Sequence, residues 1–115
     1  MNPILNEVGA VFIPGKDVEI AKDWYCDVLD IPATGEIVAG HLYVVPMTEP
    51  GLVLDSKIYS EDTIYRIPPF HFITKNIEAA YRFLRDKRIE LVTEIENGHW
   101  FNFKDPDGNV LMICE

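Results

Sequence analysis

The chain has 115 residues, 48% of them hydrophobic, enough for one core and one domain over residues 1–115. Its formal net charge of −9, with no basic block, repels phosphate backbones, so no nucleic-acid partner is expected. No apolar run approaches the roughly 18 residues of a membrane span and no basic, apolar leader opens the chain, so neither membrane nor secretion is expected.

Cys26 and Cys114 are far apart and form no Cys-x-x-Cys. They read as free thiols of a cytoplasmic protein, each a small core residue rather than a nucleophile.

In chain order, the β-branched run 8–13 predicts a first strand, ended by Pro14-Gly15. Asp17 is a good N-cap, and Val18, Ala21, Tyr25, Val28 and Leu29 follow at helical spacing until Ile31-Pro32 closes the helix. Residues 35–39 and 41–45 read as strands joined at Gly40, Thr48-Glu49-Pro50-Gly51 as a turn, and 52–54 as a further strand. Residues 55–69, polar and then Pro-Pro, read as a connector.

The second half has the same plan. A strand at 70–73 precedes Asn76, a cap for a helix that turns Ile77, Ala80, Phe83 and Leu84 inward. Strands follow at 91–95, 100–103 and 110–114. The last two are joined by Asp105-Pro106-Asp107-Gly108-Asn109, where Pro106 presets φ and Gly108 and Asn109 tolerate positive φ. Asn76 stands 59 residues after Asp17, and the same step carries Val18-Glu19 to Ile77-Glu78 and Ala21 to Ala80. An internal repeat of one β-α-β-β-β unit, about 6–58 and then 66–115, is the simplest reading.

The segments Phe12-Ile13-Pro14, Asp17-Val18-Glu19 and Trp24-Tyr25-Cys26-Asp27-Val28-Leu29 resemble the first module of the vicinal oxygen chelate superfamily. That group includes glyoxalase I, extradiol dioxygenases and bleomycin-resistance proteins. Asn76-Ile77-Glu78-Ala79-Ala80-Tyr81 and the Phe-x-Phe-x-Asp-Pro-Asp-Gly-Asn hairpin resemble the second module, so the resemblance covers nearly the whole chain. It implies an α+β fold of two βαβββ modules whose mixed sheet curls around a central cup. Asp30 and Arg88 stand where the family usually has glycine, so slightly different helix C-caps are expected.

The resemblance also implies where a divalent metal would sit: four positions, one each on the first and last strand of both modules. Here these are Ala10, Val53, Pro69 and Met112, none a ligand for a hard cation, so no metal and no cofactor is expected. Two residues further on, the same strand faces carry Phe12, Asp55, His71 and Cys114, an incomplete set for a relocated site.

The remaining candidates are a ligand-binding group of Phe12, His41, Tyr43, Asp55, His71, Trp100, Asn102 and Met112, with Tyr59 and His99 as further polar residues. The step of 59 pairs His41 and Tyr43 with Trp100 and Asn102, which places all four along the cup. For His41 and His99 a solvent-facing place beside Gly40 and Gly98 stays open. His71, between Phe70 and Phe72, is expected to face inward and to bond Asp55 or Tyr43. The resemblance then implies a protein that binds a small apolar or aromatic molecule, as its non-catalytic resistance members do. The alternative is a metal-dependent or His-based lyase, isomerase or dioxygenase, with His71 as general base and Asp55 its partner. An interaction module without a ligand site is a third reading. A homodimer is expected from the resemblance and from uncovered strand edges.

Overall fold

The alternation of apolar side chains along the strands decides the layering of each half. The computed structural model describes residues 2–48 and 50–115; Met1, and Glu49 of the turn expected at 48–51, lie outside the described residues. By internal packing the chain divides into two units, Met1–Tyr59 and Ser60–Glu115. Among the described residues no helix is long and apolar enough to cross a membrane.

Unit one contains β1 (Ala10–Pro14), α1 (Val18–Val28), β2 (Leu42–Val45) and β3 (Gly51–Asp55). Its sheet has the order β1-β3-β2, with β3 parallel to β1 and antiparallel to β2. Unit two contains β4 (His71–Ile73), α2 (Ile77–Asp86), β5 (Trp100–Lys104) and β6 (Val110–Cys114), in the order β4-β6-β5 with the same strand directions. The repeat is therefore real in topology, and the protein is a mixed α+β fold. The strands expected at 35–39 and 91–95 do not form. Each is reduced to single bridges, Val38 to Leu42 in one unit and Leu91 to Phe103 and Glu96 to Trp100 in the other.

One face of each sheet is covered by the unit's own helix. In unit one Ile13, Tyr43, Val45, Leu52 and Leu54 are buried with Val18, Ala21, Tyr25 and Cys26 of α1. In unit two Phe101, Phe103, Leu111 and Ile113 are buried with Ile77 and Leu84 of α2. Tyr81 joins this core, edge-on to Phe101 at 5.0 Å, while Phe83 is 45% exposed and not inward as expected. The 3.6-residue period explains the exchange: Tyr81 lies four after Ile77 and three before Leu84, on their stripe.

Both helices start as expected. Asp17 Oδ1 accepts the Glu19 and Ile20 N–H groups, and Asn76 Oδ1 accepts that of Ala79. Their ends correct the expectation of different caps. Asp30 (φ 55°) and Arg88 (φ 60°) both take the left-handed conformation. In each case two bonds close the same motif: Asp30 N to Asp27 O with Ile31 N to Cys26 O, and Arg88 N to Arg85 O with Ile89 N to Leu84 O. The backbone that glycine would adopt is kept, and the side chain bears the strain.

The closing hairpin is a buried polar clasp. Asp105 Oδ1 accepts the N–H groups of Asp107 and Asn109, and its Oδ2 accepts Asn109 Nδ2 at 2.8 Å. Asn109, 0% exposed, uses its Oδ1 to hold Tyr65 N of the connector, and Tyr65 O accepts Val110 N. Gly108 sits at φ 91°, as the turn requires.

Two outcomes check this account. Arg88→Gly should stabilise the protein by about 1 kcal/mol in urea unfolding, since a Cβ in the left-handed region costs roughly 1–2 kcal/mol, partly offset by glycine's greater freedom when unfolded. Asn109→Ala should cost about 3 kcal/mol, because it strips partners from a buried carboxylate and a backbone N–H together.

Candidate functional site

The helix-free face of each sheet carries most of the candidate residues. The strand register sets Phe12 opposite Val53 and Val53 opposite Val44, one apolar row across unit one. The corresponding row across unit two is His71, Met112 and Asn102. The next rows are Pro14, Asp55 and Leu42 in unit one, and Ile73, Cys114 and Trp100 in unit two. Phe12 is 49% and Val44 58% exposed.

This arrangement corrects the pairing of His41 and Tyr43 with Trp100 and Asn102. The step between units is 59 along β1, β3, β4 and β6, but 58 from the helix ends through β2 and β5, because α1 has 11 residues and α2 has 10. His41 thus corresponds to His99, and Tyr43 to Phe101. A shift of one residue reverses the face of a strand. Tyr43 accordingly lies on the helix side. Its hydroxyl donates to the Thr34 carbonyl and sits 3.8 Å from Cys26 Sγ, with Lys22 Nζ 5.9 Å from the ring centre. Burial, aided by Cys26, pushes its pKa up to about 12.

His71 is exposed, not buried, and its Nδ1 donates to the Phe72 carbonyl at 3.3 Å. A three-residue strand leaves its side chain at the margin of the sheet. The partner expected for it is engaged elsewhere: Asp55 Oδ1 accepts His41 Nδ1 at 2.8 Å and Lys57 N at 2.9 Å. Asp55 is 6% exposed and the His41 side chain 26%. Burial pushes the Asp55 carboxyl up, but the bonds from His41 and Lys57 outweigh it and hold the pKa below the usual carboxylate value.

Asn102 is tied through its backbone to the segment that replaces the missing strand: its N–H donates to Thr93 Oγ1, and its carbonyl accepts Val92 N. Its side-chain Oδ1 is buried and has no hydrogen-bond partner. His99 lies in a turn and accepts Glu115 N through its carbonyl; Tyr59 is half-buried at the end of unit one.

The His41–Asp55 contact was missed by sequence reasoning. No sequence signal singles it out, since the Gly40-His41 pair recurs as Gly98-His99, whose unit carries Cys114 in place of Asp55. Val44 and Val53 were missed as members of the apolar row, because a valine on a strand reads equally well as core.

The glyoxalase/bleomycin resistance protein/dioxygenase superfamily model matches residues 6–113. The chain belongs to this superfamily. A comparison with curated proteins finds no match. Among solved structures, the superfamily chain is similar to TnmS3, an antibiotic binding protein from Streptomyces sp. CB03234, with 23% identity, 98% of each chain covered and a TM-score of 0.74. A superfamily member from Sphaerobacter thermophilus DSM 20745 matches at 23% identity over 96% of this chain and 98% of that one, TM-score 0.71. Lactoylglutathione lyase from Agrobacterium tumefaciens matches at 18% identity over 99% and 96%, TM-score 0.68. At these identities the likeness is one of fold.

A divalent metal, implied for metal-dependent superfamily members, does not fit the residues present. Ala10, Val53 and Pro69 offer no side-chain donor and Met112 only a soft thioether. Among the described residues no three His, Cys, Asp or Glu side chains come together.

Asp55 and Tyr43 predict opposite pH dependences. Asp55 titrates lower folded than unfolded, so its contribution is present above the ordinary value of 3.8 and lost as pH falls through the lower folded value. The stability gap between the native protein and Asp55→Asn, measured by denaturant unfolding, should be widest near neutrality and narrow below pH 4. Tyr43 titrates higher folded than unfolded, so its contribution is present below 10.0 and lost as pH rises through about 12. The gap to Tyr43→Phe should close over that alkaline range.

Proposed function

We propose that this protein binds a small apolar or aromatic molecule on the helix-free face of a sheet, without a metal. The observation that carries this reading is the buried Oδ1 of Asn102, which has no partner, in a row with Met112 and His71. An unsatisfied buried acceptor costs about 1–3 kcal/mol, a cost that a ligand N–H or O–H offsets on binding. Met112 and Trp100 supply adaptable and flat apolar surface, and Phe12 does so in unit one. The fold is shared with TnmS3, described as an antibiotic binding protein, which is consistent with capture of a small molecule. The alternative, catalysis by His71 with Asp55, is disfavoured because Asp55 already holds His41.

Self-association as a homodimer is part of the proposal, supported by the exposure of Val44 and Ile73 on strands at the sheet edges. So is a cytoplasmic setting, supported by the two unpaired cysteines.

Asn102→Leu tests the binding site with a signature that a structural role would not give. The substitution should raise the stability of the unliganded protein by about 1 kcal/mol, since it removes the orphaned acceptor. It should also weaken binding of 1-anilinonaphthalene-8-sulfonate, read by dye fluorescence, about tenfold. A dye that stays dark with the native protein, together with no thermal shift from a panel of polycyclic aromatic compounds, would sink the proposal.

A further inference from the structure

The His41–Asp55 contact has features that a surface ion pair lacks. Asp55 is almost fully buried, yet it does not neutralise itself; its Oδ1 takes both the His41 Nδ1–H and the Lys57 N–H. A carboxylate acceptor fixes the imidazole as the Nδ1–H tautomer. In that neutral tautomer Nε2 carries the lone pair, and among the described residues no hydrogen bond engages it. The His41 side chain is 26% exposed.

The setting is also specific. Asp55 lies on the helix-free face of unit one, two residues along β3 from Val53. It therefore borders the apolar row of Phe12, Val53 and Val44, of which Phe12 and Val44 are about half exposed. In unit two the position of Asp55 is taken by Cys114, whose Sγ bonds the Glu115 carbonyl, and His99 has no carboxylate there. The oriented imidazole is thus a device of unit one alone, not a consequence of the repeat.

We propose that His41 is the proton-accepting group for a ligand that carries a weakly acidic hydroxyl, a phenol or enol, on an apolar body, with Asp55 as its positioning residue. This rests on the reading of the protein as a small-molecule binder and names the ligand class. The apolar body lies over Phe12 and Val44. The ligand O–H bond breaks, its proton passes to Nε2, and the bonding electron pair stays on oxygen. The resulting imidazolium is held between the ligand oxyanion and the Asp55 carboxylate, so the charges alternate. No oxidant or second reactant is needed.

The test compares 4-nitrophenol with 4-nitroanisole, which has the same body without the proton, at a pH where free nitrophenol is mostly protonated. Binding is read by equilibrium dialysis and ionisation by the visible phenolate absorbance. The native protein should bind nitrophenol at least tenfold more tightly than nitroanisole, and the bound nitrophenol should show the phenolate band. His41→Phe and Asp55→Asn should lose both the preference and the band. Equal binding of the two compounds with no phenolate band in the native protein overturns the assignment of His41 and leaves small-molecule binding standing. No binding of either compound at millimolar concentration overturns both. The native-protein arms decide the matter even if a substitution at buried Asp55 unfolds the chain.

Discussion

The clasp between Asp105 and Asn109 is the constraint on which the second unit depends. Two buried polar side chains satisfy each other and three backbone N–H groups, those of Asp107, Asn109 and Tyr65. Burial makes the arrangement all-or-none, because each group left unpaired in a low-dielectric interior costs more than its bond contributes. The clasp fixes the hairpin, the hairpin fixes β6 as the central strand, and the connector is drawn alongside through Tyr65. The row His71, Met112 and Asn102 exists because β6 is held in this register between β4 and β5.

A single residue then separates the two halves chemically. Because α2 is one residue shorter than α1, the strand after it enters with the opposite parity to that expected from the helix caps. Tyr43 and Phe101 become counterparts in the helix-covered cores, and Val44 and Asn102 become counterparts on the helix-free faces. One face is an apolar row bordered by an oriented histidine. The other is a mixed row containing a buried acceptor with no partner. Two copies of one module thus present different side chains from the same backbone plan.

The helix ends show how strongly tertiary packing overrides local preference. Asp30 and Arg88 accept left-handed backbone because Ile31 and Ile89 must turn back to bond Cys26 and Leu84. At Asp30 and Arg88 the chain holds a left-handed geometry that glycine favours, without a glycine. In both cases the backbone arrangement is held by many buried contacts, and one side chain's chemistry is free to change.

By itself the sequence determined the things that short-range patterns encode. Asp17 and Asn76 marked the helix starts, continuous apolar runs marked the central strands, and the Asp-Pro-Asp-Gly-Asn turn marked the final hairpin. The lack of hard-cation donors at Ala10, Val53, Pro69 and Met112 was equally legible, since ligand chemistry is a property of residue type. Tertiary structure decided what depends on register and reach. The parity of Tyr43 turned on the length of a helix, Tyr81 replaced Phe83 in the core by a fraction of a turn, and strands at 35–39 and 91–95 gave way to single bridges. Asp55 chose His41 over His71 because β2 and β3 pair antiparallel, which brings Leu42 opposite Asp55 and the preceding histidine within 2.8 Å. That contact spans 14 residues of chain, and only the strand pairing between them sets its distance.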